Sequence, residues 1–160
     1  MDAAITQSGI RNFVFFINSN NYNLTKKNDQ KKEKDMTVKC KNVNLDSIKS
    51  DDWKINIITI IGKEYTNPDL SLSSISNRVS KNEKSVSNFL NEKFKLSFKK
   101  YLNYIRINEA ERLIHNVHIS LKEIAHLVGY SSSNHFTRVF KQYKNITPTE
   151  YRDQLLKNGK

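Results

Sequence analysis

A single cysteine, Cys40, excludes an intrachain disulfide and suits a reducing compartment. Its neighbours Lys39 and Lys41 favour the thiolate, but nothing else around it resembles a nucleophile's setting, so it reads as an incidental thiol. No apolar run approaches the roughly 18 residues that a membrane-spanning helix needs. The apolar run Phe13–Ile17 is too short for a signal-peptide core and follows an acidic start, so the expected location is the cytoplasm. The four glycines form neither a GxxxxGK[ST] loop nor GxGxxG, and no serine-elbow motif is present. His115 and His118 have the spacing of a metal pair, yet no Cys or carboxylate cluster completes a site, and neither metal nor cofactor is expected. Asp51 and Asp52 read as the acidic first turn of a helix, favoured by its macrodipole, and not as a catalytic dyad. These absences together argue against an enzyme.

What is present lies between Ile119 and Arg152, in ISLKEIAHLVGYSSSNHFTRVFKQYKNITPTEYR. Ser120 and Glu123 have capping-box spacing, and Leu121, Ile124, Leu127 and Val128 recur at helical steps to give one apolar face. Ala125 on the inner side lets a second helix approach closely. Gly129 can take positive φ, which ends the helix in a tight turn, and Tyr130 returns an aromatic ring to the core. One of Ser131, Ser132 or Ser133 caps a second helix that buries Phe136, Val139, Phe140 and Tyr143. Thr147, Pro148 and Glu150 then supply a cap, a first-turn proline and a reciprocal acid. Two short helices about a glycine turn form a helix-turn-helix, which lays its second helix along a groove of duplex DNA.

A fainter copy lies about 50 residues upstream. Ser71 caps a helix bearing Leu72, Ile75 and Val79, and a second helix buries Val86, Phe89 and Leu90. Before it, Trp53, Ile57, Ile60 and Ile61 recur at helical steps and predict a helix over 52–65, with Asn67, Pro68 and Asp69 marking the break.

These residues resemble the AraC/XylS family of bacterial transcription regulators. The resemblance rests on Ile119, Ile124, Ala125, Gly129, Phe136, Arg138, Phe140, Lys141, Pro148, Tyr151 and Arg152 at fixed spacing, and covers roughly residues 66–155. Residues 98–114, FKKYLNYIRINEAERLI, look like the family's long connecting helix. The fold implied is all-α: two homeodomain-like helix-turn-helix subdomains joined by a connecting helix, each placing a recognition helix in one of two successive major grooves. A turn of B-DNA is about 34 Å, so one monomer can engage both grooves on one face. The expected order within 51–156 is a first helix-turn-helix at 71–93, the connecting helix at 97–115, a second helix-turn-helix at 120–143 and a final helix at 148–156. The upstream copy departs from the family's pattern at Ser76 and Ser80, where Ala and Gly are usual, and at Lys95, where glycine is common; Asn145 holds the equivalent downstream place. A serine at positive φ is strained by about 1 kcal/mol, so the first subdomain is expected to be the less stable.

Charge fits a nucleic-acid partner. The formal net charge is +11, and residues 67–160 hold 16 basic against 8 acidic residues while residues 1–66 hold 11 against 8. The excess therefore sits on the segment proposed to meet phosphates. For base readout the candidates are Ser133, Asn134, His135 and Arg138 in the second unit and Lys84, Ser87 and Asn88 in the first. Arg can pair bidentately with guanine and Asn with adenine, although Arg138 and Lys84 can equally serve phosphate. Phosphate candidates are Ser71 and Ser120 at helix starts, with Lys81, Lys122, Lys141 and Lys144 near helix ends.

Residues 1–50 carry a candidate strand at 13–17 and then a stretch crowded with Asn, Lys, Ser and Asp that reads as loop or disorder. The family's longer N-terminal effector or dimerisation domain has no room there, so no small-molecule effector is expected; a stand-alone short regulator and the remnant of a longer gene both fit. The resemblance implies a promoter-binding regulator with double-stranded DNA and RNA polymerase as partners, activation favoured over repression. The alternative is a protein-interaction module that acts through a full-length regulator or polymerase without reading DNA itself. RNA is the weaker partner, because the aromatics fall on buried faces and not on a stacking platform.

Overall fold

The computed structural model describes residues 53–158. The candidate strand, the polar stretch before residue 51, Cys40 and the Asp51–Asp52 pair lie outside them. Seven helices follow in order: α1 Trp53–Glu64, α2 Leu72–Arg78, α3 Glu83–Phe94, α4 Phe98–Ile114, α5 Leu121–Leu127, α6 Ser133–Lys144 and α7 Pro148–Asn158. There is no strand among the described residues. None of these helices is long and apolar enough to cross a membrane.

Short helices need caps, because the first N–H groups have no partner within the helix. Ser71 Oγ accepts from Ser74 N–H, and Ser74 Oγ accepts in return from Ser71 N–H. Ser120 and Glu123 close the same box on α5, with the Glu123 carboxylate accepting the Ser120 N–H at 2.9 Å. Asn82 caps α3, Ser132 is the one serine of three that caps α6, and Thr147 with Glu150 caps α7 around Pro148. The ends are left-handed. Lys95 (φ 55°) and Asn145 (φ 64°) terminate α3 and α6, and the α2–α3 and α5–α6 turns pass through Ser80 (φ 52°) and Gly129 (φ 91°).

Two apolar cores result, and α4 feeds both. Its first half gives Tyr101, Leu102, Tyr104 and Ile105 to a core built on Ile57, Ile58, Ile61, Ile75, Val86, Phe89, Leu90 and Phe94. Its second half gives Ile107, Ala110 and Ile114 to a core of Ile124, Ala125, Val128, Tyr130, Phe136, Val139 and Phe140. Because α3 covers one side of α4 and α5 with α6 another, α4 is buried over most of its surface, and even Arg106, Asn108 and Glu111 are largely withdrawn from water. Aromatic rings meet edge to face within each core: Trp53 on Phe89, Phe136 on Phe140, and Phe140 on Tyr151. One expected core residue is corrected. Leu127 is 53% exposed, whereas Ile124, Ala125 and Val128 of the same segment are fully buried.

Candidate nucleic-acid interface

The second helix of each unit is anchored on one side and open on the other. In α6, Phe136, Val139 and Phe140 are buried while Asn134, Thr137, Arg138, Lys141 and Gln142 are exposed. The exposed set steps by three and four residues, so it forms one stripe. No carboxylate among the described residues pairs with Arg138. Ser133 and His135 are half-buried at the start of the helix. The His135 ring stands edge-on to Tyr130 with centroids 5.4 Å apart, so this imidazole packs sideways on the turn. Its pKa lies below the ordinary histidine value, first through burial and then through the charges of Arg138, Lys99 and Arg106. The ring is therefore neutral at neutral pH, with a donor and an acceptor nitrogen.

In α3 the corresponding stripe is Lys84, Ser87, Asn88 and Asn91, with Val86, Phe89 and Leu90 buried opposite. Matching the two helices by their caps pairs Lys84 with Asn134, Ser87 with Thr137 and Asn88 with Arg138. Thr137 thus lies on the same exposed stripe as Asn134 and Arg138, and the three-residue step from Asn134 is the signal for it. The two faces differ in charge. Arg138 and Lys141 stand exposed on α6 with no acid in that helix, whereas Glu83 and Glu92 cancel Lys84 and Lys93 in α3.

The phosphate candidates separate into three kinds. Lys122 and Lys141 are exposed, as is Lys81, whose ammonium sits 5.7 Å from the centre of the Trp53 ring. Ser71 and Ser120 are engaged in their capping boxes, and Glu123 is held below the usual carboxylate range by its bonds to Ser120, so it keeps a negative charge beside that helix start. Lys144 is corrected outright. Its ammonium lies 2.9 Å from Glu111 Oε2 with both side chains about nine-tenths buried or more, and Tyr151 OH donates to the other Glu111 oxygen at 2.6 Å. A lysine so enclosed holds α6 and α7 against α4 and does not reach a phosphate. Lys99 was missed: it is exposed at the start of α4, and its charge bears on His135 although the two are remote in sequence.

Residues 75–154 match the family model described as "Helix-turn-helix domain", which is half of the chain. The C-terminal domain of the two-component response regulator yesN from Fusobacterium nucleatum is 32% identical, with a TM-score of 0.59 over 62% of this chain and 96% of that domain. This chain belongs to the AraC-type helix-turn-helix family of transcription regulators. AraC-type membership places it among DNA-binding proteins and not among enzymes. The regulator YtdP of Bacillus subtilis is 32% identical over 99 residues, 62% of this chain but 13% of that protein. The transcriptional activator RhaR of Mannheimia succiniciproducens is 36% identical over 73 residues, 46% of this chain and 26% of that protein. The chain therefore spans about a quarter or less of the length of these two relatives.

Proposed function

We propose that this chain is a sequence-specific DNA-binding regulator whose two heads address successive major grooves from one face of the duplex, with α6 the principal reader. The carrying observation is the stripe Asn134, Thr137, Arg138 and Lys141, exposed along a helix whose opposite side is fixed by Phe136, Val139 and Phe140. A bidentate contact of Arg138 to guanine or of Asn134 to adenine discriminates by about 1–3 kcal/mol. His135 and Ser133 add donors and acceptors at the helix start, while Lys81, Lys99, Lys122 and Lys141 neutralise phosphates. The charges of α3 cancel, so it has no net Coulombic hold, and Lys84, Ser87 and Asn88 contribute register more than affinity. RhaR is named an activator, which favours activation through contact with RNA polymerase over repression.

Selection of bound duplexes from a random pool by the purified protein, followed across salt, tests this reading. The expected result is an enriched motif spanning two successive major grooves. A motif confined to one groove favours a second reading, in which only α6 specifies sequence; the neutral α3 and the strained Ser80 turn support that alternative. Salt-sensitive binding with no motif sinks both.

A further inference from the structure

Arg106 lies between the two cores, after Ile105 of the first and before Ile107 of the second, and belongs to neither. It is 6% exposed, and its partners are not carboxylates. Its Nε–H donates to Tyr65 O and its Nη2–H to Asn67 O, each at 2.7 Å. Those carbonyls belong to the α1–α2 connector of the first unit. On the other side, the guanidinium sits 5.4 Å from the ring centre of Tyr130, in the α5–α6 turn of the second unit. Gly129 brings the same two segments together by backbone alone. A Cβ there would lie 2.7 Å from Tyr65 O and 2.8 Å from Thr66 O. The first unit's connector and the second unit's turn therefore touch directly, and one buried cation ties them together across α4.

We propose that Arg106 is a positioning residue that fixes the distance and phase between α3 and α6, and so determines which half-site spacing the protein accepts. The proposal rests on the two-groove reading above. Spacing matters because each inserted base pair turns the second groove by about 34° and moves it about 3.4 Å. A rigid pair of heads cannot follow that rotation. A pair joined by α4 and looser contacts can, and Lys in place of Arg lacks the planar fork that donates to two carbonyls while its cation lies over the Tyr130 ring.

The test uses wild type, Arg106→Met and Arg106→Lys on three duplexes: the selected two-groove site, the same site with one or two base pairs inserted, and a duplex holding only the α6 half-site. Wild type is expected to lose at least about tenfold in affinity on insertion, since one head's base contacts are lost. Arg106→Met is expected to bind the half-site duplex as wild type does, yet to lose most of that discrimination, with Arg106→Lys between the two. Spin labels at Asn91 and Gln142, in a Cys40→Ser background, read the same property without DNA. Their distance distribution is expected to be narrow in wild type and broad in Arg106→Met. A variant as selective and as narrow as wild type overturns the role given to Arg106. Loss of half-site binding or of the folded state in both variants also overturns it, by making Arg106 a structural residue. A wild type indifferent to spacing overturns the two-groove reading itself.

Discussion

The two helix-turn-helix units share a fold and differ in how their turns and recognition faces are made. In the second unit Ala125 backs the turn, Gly129 takes φ 91° without cost, and α6 exposes two cations, Arg138 and Lys141, and no acid. In the first, Ser76 brings a buried hydroxyl with no hydrogen-bond partner among the described residues, Ser80 takes φ 52° against its preference, and α3 has no net charge. The turns also differ in length: Val79, Ser80 and Lys81 precede the Asn82 cap, whereas Val128 to Ser131 precede Ser132. The apolar positions are nonetheless equivalent, and both units close. Packing of a few aliphatic and aromatic residues sets the fold; turn chemistry sets how readily each head closes, and surface charge is the basis on which we propose that the two meet DNA unequally.

The turns offer the sharpest way to break this comparison. Gly129→Ala forces a Cβ onto the Tyr65–Thr66 backbone at positive φ and is expected to destabilise by at least about 2 kcal/mol. Ser80→Gly should instead stabilise, by up to about 1 kcal/mol. Denaturant unfolding of the two variants checks both signs, and equal effects would erase the difference between the turns. Next comes the reading face. Arg138→Ala is expected to cost about 1–3 kcal/mol on the selected duplex and to relax one base position, with Asn88→Ala costing less. Equal loss on every sequence would make Arg138 a phosphate contact. Ser76→Ala removes a buried hydroxyl that has no partner and should stabilise the first unit by about 1 kcal/mol; a loss of stability would mean the hydroxyl is satisfied.

The smallest effect is in pH. The folded pKa of His135 lies below the ordinary 6.5, so the unfolded chain takes up its proton first as pH falls. Stability contributed at this site is present above that ordinary value and is lost as pH drops through it toward the folded pKa. His135→Gln should therefore flatten the decline of the melting temperature in that window, and an unchanged slope would show that the ring is not desolvated.

Much of the fold was legible because its signals are local. Capping pairs such as Ser120 with Glu123 and Thr147 with Glu150 lie three residues apart, and the glycine turn and the step from Phe136 to Val139 and Phe140 are read within one or two helical turns. The candidate interface was half legible for the same reason: helical spacing put Asn134 and Arg138 on an open face. What escaped depends on distant partners. Lys144 reads as a helix-end cation until Glu111 and Tyr151 close around it. Arg106 carries no signal of its own within the connecting-helix sequence, because its partners at Tyr65, Asn67 and Tyr130 are remote along the chain. Leu127 has the right period for a core residue, but periodicity assigns a face and not what packs against it.

The central claim, two heads of unequal reading power, is tested most directly by random-pool selection run in parallel with wild type and Arg138→Ala. The account predicts a two-groove wild-type motif from which Arg138→Ala erases base preference in the stronger half only. A motif unchanged by Arg138→Ala, or one stronger under α3 than under α6, would contradict it.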